Sequence, residues 1–551
     1  MRIYHPISLV LFLGLQLAAA STDYQFDGEI SRAVLENYLA RSVTFAELLH
    51  GIGNVDDNIR FLKNTGAKFA GRAIYRWGGE AGLPQLLERA RPIAEKVHQA
   101  DPDIIIQAAC FEIVTRQVNQ LTVPDWVFKE FGLTPENRQF RYEAMLYPEG
   151  QWGRDHWGKG ASVPDMSQLE TRMWFFYLAA SYIDVGVEGI HFGQVEIMDN
   201  RDPDHAYWSD LLERVRRYAA GHARRHLVLC DAHVPSGGIV RNGRLLFDFH
   251  SFPLRIDEVV EHPQEGVLKM GYLDSLFGRS KGGITPSGWK CDHLPFLVEL
   301  DNFEPSGHEG QNIGAHWIWG YDEICWFARQ SEAYRNQWLG YAWDWIRQHD
   351  TNAWLEMPGS RTLAVPVNGK HWYWANTASP AVPDGFNQEE TIKRIWASTP
   401  PATSAADSSS LNWPQFRGPE GNGHAHAERL PLTWTETQNV VWKTPIHDLG
   451  WSSPVVWGNQ VWVTTATEDG KQMFAVRVDR DTGKVVHDVK VFDTENPLHV
   501  ASVNSYASPT PVIEAGRLYV HFGTYGTACL DTANGRILWT RRDLNCDHHE
   551  G

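Results

Sequence analysis

The chain has 551 residues, 43% of them hydrophobic and 12% aromatic, and a formal net charge of −17. That length exceeds one ordinary domain, so two or three are expected. The negative balance excludes a surface that tracks phosphates, because such a surface needs clustered Lys and Arg, and nucleic acid is not an expected partner.

At the N-terminus, Arg2 precedes an apolar run from Ile7 to Leu17 and then the small residues Ala18, Ala19, Ala20 and Ser21. The run is too short to span a bilayer, so residues 1–20 read as a cleaved signal peptide, with the mature protein secreted or periplasmic. No later segment is long and apolar enough to span. Six cysteines are scattered without a CxxC pair, which points away from a zinc ribbon or a dense disulfide framework; Cys110 and Cys230 read as buried free thiols.

From Thr44 to Trp319, short apolar runs alternate with segments of helical period, the rhythm of repeated βα units. The predicted strands are Phe45 to Leu49, Phe69 to Tyr75, Ile104 to Ala109, Gly189 to Val195, Leu227 to Asp231, Leu245 to Phe249, Phe296 to Val298 and Ala315 to Trp319. Helices are predicted over Val55 to Asn64, Leu83 to Gln99, Leu169 to Asp184, Tyr207 to Arg225 and Asp322 to Gln348. No GxGxxG turn follows the first strand, so a (β/α)8 barrel over residues 21–361 is favoured above a dinucleotide-binding sheet. The aromatic, turn-rich stretch from Cys110 to Met166 reads as a large loop on the mouth side, where insertions shape a substrate cleft.

Residues 362–397 contain strand-like pieces at Leu363 to Val367 and His371 to Ala375 and predict a small β appendage. Residues 398–411 are rich in Ser, Thr, Pro and Ala and read as a flexible linker. Beyond them the chain repeats itself: Pro454-Val455-Val456-Trp457 through Val463 matches Pro511-Val512-Ile513-Glu514 through Val520, and Asp479 to Gly483 matches Asp531 to Gly535. Strand, tight turn, strand and an Asp-x-x-x-Gly turn, repeated, is the pattern of propeller blades. Residues 412–551 resemble the quinoprotein-type (PQQ-like) propeller repeat, most of all at Leu530-Asp531-Thr532-Ala533-Asn534-Gly535-Arg536-Ile537-Leu538-Trp539. In that family a Trp at the last position docks one blade on the next; His487 stands there in the earlier copy, which predicts weaker docking. About two blades are present where closure needs at least four, so the resemblance implies a partial propeller with an open edge for protein contacts and no quinone cofactor.

Glu196 and Glu299 each end an apolar run, and a glycosidic bond is usually cut by two such carboxyls, one protonating the leaving oxygen and one attacking the anomeric carbon or activating water. With these placements residues 44 to 350 resemble the retaining (β/α)8 glycoside hydrolases of clan A. The resemblance implies Glu196 as acid/base after strand four, Glu299 as nucleophile at strand seven, Arg76 after strand two, and Trp317 or Trp319 after strand eight. That family usually has Asn before the acid/base; here Val195 precedes Glu196, and strand alternation would aim Gln194 and Glu196 the same way so that Gln194 contacts a sugar hydroxyl. Glu112, Asp231, His233 and His250 complete the predicted substrate-binding set, with Asp248 beside it. His191, His233, His250 and Asp231 could instead ligate zinc, although no HxH or HExxH spacing occurs near them, and neither metal nor cofactor is expected. The main alternative is a non-catalytic carbohydrate-binding or scaffold protein; a further one makes the propeller the functional unit.

Overall fold

The computed structural model describes residues 8–11, 24–398 and 412–544, apart from 420, 425–432, 436–437, 481, 502–503 and 515. Most of the expected signal segment and residues 399–411 of the expected linker lie outside these. The chain divides into two compact units, residues 23–403 and residues 404–551, the second grouped with residues 1–22. Among the described residues no helix is long and apolar enough to cross a membrane.

In the first unit, β1 (Ser42–Phe45), β2 (Phe69–Tyr75), β3 (Ile105–Ala109), β4 (Gly189–Gln194) and β5 (Leu229–His233) pair in parallel, in that order. Next, β6 (His250–Pro253), β7 (Phe296–Glu299) and β8 (Ala353–Leu355) form a second parallel run. The chain then passes Glu356 and re-forms as β9 (Met357–Val367), which pairs in parallel with β1. Across the other junction, Asp248 N donates to Cys230 O at 2.8 Å. This is a TIM-barrel-type α/β architecture, although its ladders form a seven-stranded and a three-stranded sheet and not one continuous ring. The outward side chains of the strands, such as Ile190, Phe192 and Cys230, are buried under helices that contribute Phe175, Trp208 and Leu212.

Four sequence expectations need correction here. The last barrel strand is β8 and its continuation, not Ala315–Trp319. That segment is loop, because Ala315 (φ 60°) and Trp319 (φ 48°) adopt left-handed backbone that breaks an extended run. The sixth strand begins at His250, after the expected Leu245–Phe249; Arg244–Leu245 pairs instead in a small peripheral sheet. The expected appendage is no separate piece, since β9 runs straight from the barrel into an antiparallel pairing with β10 (Lys370–Trp374). The helix predicted over Asp322 to Gln348 is two helices, Glu323–Arg329 and Glu332–His349, because Ser331 caps the second by accepting from Tyr334 N.

In the second unit, Val455–Trp457, Gln460–Ala466, Gln472–Asp479 and Val485–Asp493 form one four-stranded antiparallel meander, and Val512–Glu514, Arg517–His521, Thr527–Asp531 and Ile537–Arg541 form another. Trp462, Met473, Phe492, Leu518 and Leu530 are buried in a shared core. Trp442 Nε1 donates to Arg480 O at 2.7 Å on the first Asp-x-x-x-Gly turn. On the second turn, His487 Nε2 lies 3.1 Å from the accepting Ala533 O while its ring stacks on Trp462. The His487 imidazole thus touches both this turn and the Trp462 ring. Ser8–Leu11 pairs antiparallel with Trp442–Pro445.

Candidate active site

The strands meet across a polar interior, where branched aliphatic side chains are the usual filling. His191 Nδ1 donates to Asp231 Oδ2 at 2.7 Å, Gln107 Nε2 donates to Asp231 Oδ1 at 2.7 Å, and Ser251 Oγ also donates to Asp231. All four are buried. Gln107 in turn accepts from Arg72 N at 3.0 Å.

Glu299 ends β7 and is 1% exposed. Its Oε2 accepts from Arg361 Nη1 at 2.7 Å, its Oε1 pairs with Arg72 Nη2, and Thr44 Oγ1 lies 3.5 Å from Oε2. His233 Nε2 stands 3.8 Å from Oε1 and 3.3 Å from Arg72 Nη2. Arg72 reaches this position through an irregularity in β2. It has φ 54°, and the β2–β3 register shifts between Ala70 and Ile74, a bulge that re-aims the guanidinium. Left-handed backbone at a non-glycine residue inside a strand is costly and tends to collect at functional sites.

Burial would raise the Glu299 carboxyl, but the charges of Arg72 and Arg361 prevail and hold it well below the usual carboxylate range. Burial also keeps the His233 imidazole below its ordinary value, consistent with its accepting from Arg72. Glu356, the residue where the chain passes from β8 to β9, behaves oppositely: burial, reinforced by the Glu299 charge, pushes it up to about 8. Its Oε1 accepts from Ser42 Oγ at 3.3 Å, and a Cβ on Gly71 would stand 1.9 Å from it. Two interior carboxyls are thus driven apart, one anionic and one neutral at pH 7.

Glu196 is not on the strand. β4 ends at Gln194, and Glu196 lies half-buried in the short helix Val195–Met198, where its Oε1 accepts from Ser236 N at 3.2 Å. Strand alternation therefore does not relate it to Gln194. That side chain is instead clamped by Glu112, whose Oε1 accepts from Gln194 Nε2 and Oε2 from Gln194 N, both at 2.9 Å. Glu112 and Gln194 tie the end of β4 to the loop after β3 and leave the mouth to others. Arg76, the arginine expected after strand two, donates to Gly82 O at 2.8 Å, and the β2 arginine that pairs with Glu299 is Arg72. His250 is fully buried with no hydrogen-bond partner on either ring nitrogen among the described residues, and burial lowers it to about 3. Trp319 is 6% exposed and donates to Glu265 O at 2.9 Å, a packing role. Trp317 stands half-buried, edge-on to Phe303 at 4.7 Å. Among the described residues no group of three His, Cys, Asp or Glu side chains is placed so that it could hold a metal ion.

Glu299, His233 and Asp231 are thus brought together, whereas Arg76, Glu112, Gln194, His250 and Trp319 are held elsewhere. Arg72, Arg361 and Glu356 were missed. An Arg within the apolar run Ala70-Gly71-Arg72-Ala73-Ile74 was the available signal for the first; Arg361 and Glu356 were hidden by the misplaced eighth strand.

No family model matches this chain, and no curated protein matches it either. Solved structures similar to it include the Nostoc punctiforme debranching enzyme soaked with acarbose, at 11% identity over 77% of this chain and 79% of that one (TM-score 0.32). A maltogenic α-amylase from Thermotoga neapolitana is 8% identical over 80% and 84% (0.29), and a GH27 β-L-arabinopyranosidase from Geobacillus stearothermophilus is 10% identical over 83% and 94% (0.27). Likenesses of this size carry no argument about activity.

Proposed function

We propose that this protein is an exported glycoside hydrolase that cleaves a glycosidic bond of a poly- or oligosaccharide with Glu299 as the anionic carboxylate and Glu196 as the proton donor. The observation that carries this is the Glu299 site: a carboxylate at the end of β7, kept ionised by Arg361 and by Arg72, whose backbone is bent out of strand geometry to reach it. An ionised carboxylate suits attack on, or stabilisation of, an oxocarbenium-like centre, and Glu196 stands half-buried in the short helix that follows β4. In retention the two carboxyls act about 5 to 5.5 Å apart, and in inversion roughly 6.5 to 9.5 Å apart.

The test is turnover of a panel of plant and algal glycans, with the product anomer followed by NMR. The expected results are retention of configuration, loss of turnover in Glu299→Ala, and survival of activity toward activated aryl glycosides in Glu196→Ala, since those leaving groups need no proton. Equal loss on activated and unactivated substrates in both variants overturns the assignment, and Asp231 and Asp248 are then tested next.

One observation favours the non-catalytic alternative: Glu299 is 1% exposed with both oxygens on arginines, as in an internal structural tie. Glycan binding without turnover, together with unfolding of Glu299→Gln, would decide for it. For the tail we infer blades of a partial PQQ-like propeller. Trp442 and His487 sit against successive Asp-x-x-x-Gly turns, and Trp539, next in the series, is 44% exposed.

A further inference from the structure

The loop between β3 and β4 carries a row of aromatic rings that the chemistry above does not use. Phe111 lies 5.9 Å from His191 in the barrel interior, and Trp77, just beyond β2, meets Phe111 edge-on at 5.5 Å. The row continues from Trp77 to Trp157 at 5.1 Å, from Trp157 to His156 at 4.4 Å, and from His156 to Trp152 at 5.0 Å. Both Trp77 and the loop follow the C-terminal ends of strands, the side on which such folds bind substrates. Trp77 is 49% and Trp152 46% exposed, far more than packing requires of the largest apolar side chain.

The Trp157 ring and the turn that carries Trp152 are held in place. Trp157 Nε1 donates to Glu112 O at 2.9 Å, and Val163 N donates to Gly153 O at 2.8 Å. Gly153 has φ 104°, and a Cβ there would stand 2.5 Å from the Tyr147 ring, so only glycine lets the Trp152 turn lie against it. Val114–Thr115 pairs with Ala161–Ser162 and ties the two ends of the loop together. Pre-set rings lose little side-chain entropy when a ligand arrives.

We propose that Trp77, Trp157 and Trp152 form a track that stacks successive sugar rings of a polysaccharide, leading the chain into the barrel mouth. This deepens the hydrolase reading and rests on it for the choice of ligand. Between residues 134 and 166 Trp152 is the one large apolar side chain that is exposed, and Gln151, Asp155 and Lys159 stand exposed around it. A lipid surface or an apolar helix would be met by aliphatic side chains. Flat indole faces flanked by hydrogen-bonding groups instead match a pyranose, with its apolar C–H face and hydroxyl rim.

The experiment measures binding and turnover of disaccharides and hexasaccharides of β-1,4-glucan, β-1,3-glucan, xylan and α-1,4-glucan with the full chain, Trp152→Ala, Trp152→Phe and Trp77→Ala. Thermal unfolding of each variant verifies its fold. Expected are tighter binding of one hexasaccharide than of its disaccharide, and a hexasaccharide Kd about three- to tenfold weaker in Trp152→Ala and Trp77→Ala. Disaccharide binding should be unchanged, and Trp152→Phe should restore most of the loss. Equal weakening for both lengths, no length dependence in the wild type, or no binding to any glycan of the panel overturns the track. Length-dependent binding without turnover would instead sink the hydrolase reading and leave the track standing.

Discussion

Glu299→Gln removes one charge and keeps the shape, so it isolates what the interior anion does. In the wild type that anion faces Arg361, 2% exposed, and Arg72, 7% exposed, and the substitution leaves two buried guanidinium groups without it. Stripping one partner from a buried ion pair costs about 3–5 kcal/mol. Unfolding entropy near 2.1 cal/mol/K per residue, over the roughly 380 residues of the first unit, converts this to a fall in Tm of about 4 to 6 °C. Glu196→Gln is the control, because its carboxylate is half-buried with a single hydrogen bond from Ser236 N, and a change within about 0.5 kcal/mol is expected. Calorimetry of both variants from pH 3 to 8 measures the difference. The Glu299 pKa is lower folded than unfolded, so its contribution is present above its ordinary value of 4.5 and is lost as pH falls through the folded value. The gap between wild type and Glu299→Gln should therefore narrow below pH 4.5. Equal Tm values for the two variants, or a gap independent of pH, would refute the assignment of Glu299 as the buried anion.

Glu356→Gln should act in the opposite direction: the folded pKa is raised to about 8, so the wild type loses stability as pH climbs from 4.5 to 8, and the variant should gain relative to it across that window and hold the gain above it. A variant no more stable than wild type at pH 8 would contradict a neutral Glu356. Gly71→Ala should destabilise by about 1–3 kcal/mol, since the new Cβ would stand 1.9 Å from Glu356 Oε1, and Glu356→Ala should rescue it in the double variant, read by urea midpoint. The fragment 412–551 expressed alone should self-associate through its last strand, where Leu538 is 40% and Trp539 44% exposed, and Trp539→Lys should suppress this in light scattering; a stable monomeric fragment would count against an open edge.

The residues by themselves determined where most barrel strands run, because apolar runs such as Phe69–Tyr75 and Phe296–Glu299 are bounded locally by turns and helices. They also placed Glu299 at a strand end and set out the repeated Asp-x-x-x-Gly turns, whose backbone bonds, such as Gly535 N to Asp531 O at 2.9 Å, close within five residues. Period and turn chemistry are short-range properties and survive in a single sequence. Tertiary structure decided what those elements do to one another. Ala315–Trp319 has the composition of a strand, yet its indole bonds to Glu265 and its left-handed residues yield the eighth position to Ala353–Leu355. Glu196 turned onto a helix, Gln194 was taken by Glu112, and Arg72 from within β2 reached the anion. Which side chains share one level of the interior depends on strand register and on a bulge, and whether a carboxyl there is charged depends on how many dipoles and guanidinium groups surround it. Residues 72, 233, 299, 356 and 361 acquire those surroundings only when distant segments of the chain pack together, because desolvation and Coulomb interaction act through space.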